Sequence, residues 1–148
     1  MTKSNFANRR TKNEDSVTTE LETILKKTNS SEILKAPFNF LSRQSVTSML
    51  TRIDLFKMIE NVNGSIVECG THKCNSTFLY YHLSSIFEPY NYNRKIIGFD
   101  TFQGIKKLSK KDKSSGLNKF SDSNYDLYKK LSKIYYKNRS VGHIEKME

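Results

Sequence analysis

Two short apolar runs, Ser65–Cys69 (SIVEC) and Lys95–Phe99 (KIIGF), have the length and composition of buried strands. Between them the pattern switches to a helical period. Phe78, Leu79, His82, Leu83, Ile86 and Phe87 share one face of a helix predicted over Ser76–Phe87, and Pro89 ends it. Strand, helix and strand in that order predict a parallel pair joined by a right-handed crossover. This β-α-β unit makes the chain an α/β protein, and the other elements are read around it.

Ser42–Val62 reads as an amphipathic helix. Val46, Met49, Leu50, Ile53, Phe56, Ile59 and Val62 form its stripe, and Asn63-Gly64 closes it. Asp122–Asn138 reads as a further helix, with Leu127, Leu131, Ile134 and Tyr135 as the buried stripe and Ser123 with Asp126 as a capping box. Gly142–Glu148 has the pattern of a third strand at its start. Residues 1–36 form a variable polar leader with a short helix over Thr18–Lys27, and Pro37 marks the break into residues 37–148. Leu, Ile, Val and Phe make up 25% of the 148 residues, enough for a folded core, and the length suits one domain.

The net charge of +10 is concentrated. Residues 105–140 carry 11 basic and 3 acidic side chains. Such a block can attract nucleic acid or an anionic surface, but its aromatics form no RNA-binding signature, so a solvated lysine-rich face is the preferred reading. No run approaches the ~20 apolar residues of a membrane span, and the polar N-terminus lacks the apolar core of a secretory signal, so a cytoplasmic location is expected. Cys69 and Cys74 are too few for a disulfide scaffold, and their spacing is not that of a zinc site. Cys69 reads as a small buried strand residue and Cys74 as a thiol at a helix start, where thiolates are favoured. His72, His82 and His143 are too scattered to be a metal site.

Ligands of open α/β sheets bind at the carboxyl ends of the strands. Two features fall there. In IVECGTHKCNS (66–76) a strand runs through acidic Glu68 into Gly70 and a turn that opens a helix, whose backbone N–H groups suit a carboxylate or phosphate. Asp100 ends the next strand, where a carboxylate can accept both hydroxyls of a ribose. The dinucleotide fingerprint G-x-G-x-x-G is absent. An acidic residue before a single glycine turn suits S-adenosylmethionine, whose amino acid end carries both charge signs.

Residues 39–107 resemble the macrocin O-methyltransferase family. The likeness rests on Arg43-Gln44 at the first helix, on TRIDLFKMIENVNGSIVECG, and on LSSIFEPYNYNRKIIGFDTFQG, of which GFDTFQG (Gly98–Gly104) is the most specific part. The resemblance implies a Rossmann-like class I methyltransferase fold with a mostly parallel seven-stranded sheet. It also implies methyl transfer from S-adenosylmethionine to a sugar hydroxyl, on a deoxyhexose or nucleotide-linked sugar, with Mg²⁺ helping to hold the acceptor. Carried over by position, Glu68, Gly70 and Ser76 line the amino acid part of the cofactor, with Thr71 in the same turn. Asp100 takes the ribose, with Thr101 and Phe102 beside it.

Two departures carry consequences. The family loop has glycines where this chain has Cys74 and Asn75. Cysteine is strained in a left-handed conformation, and its side chain is expected to intrude on the ligand and weaken cofactor affinity. The chain also reaches Glu148 where the third strand begins, ahead of the family's metal ligands and catalytic base. The expectation is an incomplete version of the fold: N-terminal helices, the first β-α-β unit and the following helix. It would carry cofactor contacts but no catalytic or metal-binding residues. The alternatives are an assembly piece that pairs with a separate C-terminal half or another copy, and a small basic nucleic-acid-binding protein.

Overall fold

The computed structural model describes residues 12–105, 120–135 and 142–147. Most of the basic block, the end of the helix predicted to reach Asn138, and Glu148 lie outside the described residues. The chain divides into two units, Met1–Ser48 and Met49–Glu148.

The first unit is helical. It holds α1 (Lys12–Leu25), α2 (Ser30–Lys35), a 3-10 turn at Pro37–Phe40 and the start of α3 (Arg43–Met58). Asn29 caps α2 by accepting the Ser31 N–H at 2.8 Å. Ser42 does the same for α3, with its Oγ accepting the Ser45 N–H at 3.1 Å. Among the described residues of this unit none is fully buried, and Leu34 and Phe38 stand largely in solvent.

The second unit contains the predicted β-α-β. β1 (Ile66–Cys69), α4 (Asn75–Phe87) and β2 (Ile96–Asp100) are followed by α5 (Tyr125–Tyr135) and β3 (Gly142–Lys146). The sheet order is β1-β2-β3, both pairs parallel. Ile66 pairs with Ile96 in one register and Ile96 with Gly142 in the other, so β2 is the central strand. The Met147 N–H donates to the Asp100 carbonyl at 2.8 Å, carrying the β2–β3 pairing one step further. α4 packs on β2 and α5 on β3. Cys74, Phe102, Tyr128 and Ile144 form a buried cluster, with Phe78, Tyr125 and Leu131 against it.

The helices sit differently from their apolar stripes. α3 ends at Met58 rather than continuing to Val62. The carbonyls of Ile59, Val62 and Gly64 instead accept from the Arg94 guanidinium at 2.9–3.0 Å, and Glu88 completes the set by accepting from Arg94 Nε and Nη2 at 2.6 Å. Both charged side chains are buried and paired. On α4 the buried positions are Thr77, Tyr81, Leu83 and Ser84, while Ile86 and His82 face out. Gly98 on β2 lacks the side chain that would exclude Thr77, so a threonine packs against the sheet there. On α5 Tyr128 and Ser132 are buried, with Leu127, Ile134 and Tyr135 exposed. The cap of α5 is Asn124, whose Oδ1 accepts the Leu127 N–H at 3.0 Å, one residue on from the expected Ser123. Among the described residues no helix is long and apolar enough to cross a membrane.

Candidate functional site

The carboxyl ends of β1 and β2 open into two tight turns. After β1, Gly70 takes φ 79°, a conformation open to glycine at no steric penalty, and its N–H donates to the Phe99 carbonyl at 2.8 Å. His72 and Cys74 follow at φ 49° and 56°, and Phe102 after β2 takes φ 53°. Each is a left-handed residue with a side chain, disfavoured by about 1–2 kcal/mol, so the surrounding bonds must hold the turns in shape. Asp100 supplies two of them. Its Oδ2 accepts the His72 N–H and its Oδ1 the Phe102 N–H, both at 2.7 Å.

Between the turns lies a groove of about 300 Å³, at the lower end of the range for small-molecule sites. Gly70, His72, Asp100 and Thr101 line it together with Gly104, Ile105, Phe120 and Met147. Of the residues read from sequence, Gly70, Asp100 and Thr101 therefore meet in one groove. Thr71 and Phe102 do not line it; both are buried, and the Phe102 ring belongs to the core cluster. Ser76 is half-buried on the first turn of α4. Glu68 lies apart. It accepts a short hydrogen bond from the Thr77 hydroxyl and lines a second groove of about 350 Å³ with Arg52, Leu55 and Tyr80.

The two cysteines reverse their expected roles. Cys69 is exposed and Cys74 is 0% exposed. The Cys74 side chain turns into the core rather than toward a ligand, and its thiol donates to Thr71 Oγ1 at 3.5 Å. Burial pushes that thiol up from its ordinary pKa, the opposite of an activated thiolate. As the residue before α4, Cys74 gives the helix no side-chain cap. The first-turn N–H groups therefore keep no acceptor from that position, which is the arrangement that suits an anionic ligand.

Sequence reasoning missed His72, Phe120, Asp122 and Met147. His72 Nε2 lies 2.6 Å from Asp122 Oδ1, Lys73 Nζ lies 2.5 Å from Asp122 Oδ2, and Phe120 meets the His72 ring edge-on at 5.2 Å. The hydrogen bonds from Lys73 and His72 lower the Asp122 carboxyl from 3.8 to about 2. None of these residues sits in a periodic stripe, and the 50-residue gap between His72 and Asp122 leaves no local signal. Among the described residues no group of three or more His, Cys, Asp or Glu side chains is placed to hold a metal ion. The Mg²⁺ implied by resemblance thus has no ligand set among them.

The fold is a Rossmann-like α/β arrangement that matches part of the fold of known methyltransferases. It superposes on the calicheamicin methyltransferase CalS11 with a TM-score of 0.82 at 22% identity, over 95% of this chain and 60% of that one. The apo structure of CalS11, described as a TDP-rhamnose 3'-O-methyltransferase of calicheamicin biosynthesis, matches with a TM-score of 0.72 at 20% identity, over 95% and 57%. The chain thus spans about 60% of the length of these structures. No protein-family model matches it, and no curated protein matches it.

Proposed function

We propose that this chain carries the cofactor-binding part of an S-adenosylmethionine-dependent O-methyltransferase of the macrocin type, acting on the hydroxyl of a deoxyhexose or nucleotide-linked sugar. The observation that carries the reading is the groove at the carboxyl ends of β1 and β2, which Gly70, Asp100 and Thr101 line together with Ile105, Phe120 and Met147. A nucleoside, with hydroxyl groups and a flat base, suits a groove that offers both polar and apolar residues. The likeness to sugar methyltransferase structures supports the choice of reaction.

In this reading the ribose lies beside Thr101, in the groove that Asp100 helps to line, and Ile105, Phe120 and Met147 exclude water from the base. The uncapped first turn of α4, with Ser76, receives the carboxylate of the methionine end, while Glu68 stays in the second groove, held by the Thr77 hydroxyl. S-adenosylmethionine, when bound, supplies the electrophilic methyl group. The contribution of these residues is to bind and orient it. Titration calorimetry with S-adenosylmethionine, competed by S-adenosylhomocysteine, tests the reading. Saturable binding that the competitor displaces is expected, and no binding at millimolar ligand overturns it.

A second reading is favoured by β1. Among the described residues it pairs with β2 alone, and Val67 at its middle is 56% exposed. An open parallel edge of this kind accepts another strand. We propose as the alternative that the chain is an assembly piece, completed by a polypeptide corresponding to the part of CalS11-like chains that it does not span. Methyl transfer that appears only on mixing the two pieces supports this. Transfer by the chain alone removes it.

A further inference from the structure

We infer that Asp100 is a positioning residue, which sets the shape of the groove before any ligand arrives. Three bonds converge on it. Its carboxylate accepts the N–H of His72 from the turn after β1 and the N–H of Phe102 from its own turn, each at 2.7 Å. Its carbonyl accepts the N–H of Met147 beyond β3 at 2.8 Å. One residue thus ties together the three segments that follow the three strands.

The donors explain why a carboxylate stands there. His72 and Phe102 both occupy the left-handed region, at φ 49° and 53°, where residues bearing side chains do not stay without support. The Phe102 bond is a local Asx turn, and the His72 bond crosses 28 positions in sequence. Holding Phe102 in this conformation also seats its ring against Tyr125 and Tyr128. Holding His72 places its side chain at the groove beside Phe120. A carboxylate can accept both N–H groups at once. The amide of asparagine accepts one, and it sets its own NH₂ against the other.

The ligand half of the test rests on the nucleoside-binding reading above, and the other half does not. In ligand-free protein, amide hydrogen exchange should show His72 and Phe102 protected at least tenfold over an unstructured chain. In Asp100→Asn one of the two amides, the one set against the new NH₂, should exchange roughly tenfold faster, the effect of one lost charge-assisted bond, while Ile96 and Ile97 in β2 keep their protection. Unprotected amides in the wild type overturn the inference, whether or not the variant folds. Acceleration of every amide together also overturns it, because Asp100 would then be a general stabiliser.

For the ligand half, adenosine and 2′,3′-dideoxyadenosine are titrated into both proteins. A positioning role weakens both ligands by the same factor in Asp100→Asn. Weakening of adenosine alone assigns Asp100 to the ribose hydroxyls and overturns the inference. If neither nucleoside binds the wild type, the functional reading fails while the exchange measurement still decides the positioning role.

Discussion

A Cβ added to Gly98 would come within 2.9 Å of Thr71 Cγ2, and within 3.2 Å of both Oγ1 and Cγ2 of Thr77. Gly98 faces Glu68 across the β1–β2 pair, so this bare spot lets the turn after β1 and the start of α4 settle onto the sheet. Gly98→Ala should lower stability by about 1–3 kcal/mol through overpacking. Thermal unfolding followed by circular dichroism checks it, and an unchanged midpoint would show that the threonines yield.

The buried Arg94 guanidinium bonds to Glu88 and to three backbone carbonyls. Arg94→Met removes the partner of a buried carboxylate and leaves those carbonyls without their donor. A loss of about 3–5 kcal/mol is expected, which is a large share of the stability of a small unit. In urea titrations the paired change Glu88→Gln with Arg94→Met should be less damaging than Arg94→Met alone, since no lone charge stays buried.

Thiol labelling separates the cysteines. Iodoacetamide should modify exposed Cys69 in the native protein and reach Cys74 only after unfolding. Peptide mass spectrometry reads both sites, and equal labelling would refute the buried placement. Cys74→Gly relieves a left-handed backbone worth about 1–2 kcal/mol and gives up a buried side chain of similar worth. Stability should stay within about 1 kcal/mol of the wild type, and cofactor affinity should not improve, because the thiol points into the core.

Asp122 is held at about 2 by Lys73 and His72. A carboxyl lowered in the folded state stabilises it above the ordinary value of 3.8 and loses that contribution as pH falls from there through about 2. Carboxyl-detected NMR should place its midpoint near 2, and Lys73→Ala should move the midpoint back toward 3.8. A wild-type midpoint already at the ordinary value would show that the pair does not persist in solution.

The strands were legible because each is an apolar run with a turn signal beside it. β1, α4 and β2 lie within a residue of their expected bounds, and β3 pairs where a third strand was expected to start. The buried faces were less legible. Periodicity finds the stripe richest in apolar residues, but α4 buries Thr77 because of an absent side chain on another element. Arg94 gave no signal, since a lone arginine before a strand becomes a hub only when Ile59, Val62 and Gly64 turn their carbonyls to it. In the candidate site, Gly70 and Asp100 were legible from strand ends and Thr101 only from the family resemblance, whereas His72, Phe120 and Met147 are brought to the groove by turns that no sequence period encodes.

The central place of β2 fixes an order of events during synthesis. A ribosome delivers the chain N-terminus first, so among the described strands β1, with all of α4, emerges before its partner β2. Arg94 arrives just ahead of β2, and the carbonyls it binds have already been made. The emergence of residues 94–100 is therefore the moment at which the sheet can begin, and β3 joins a surface that already exists.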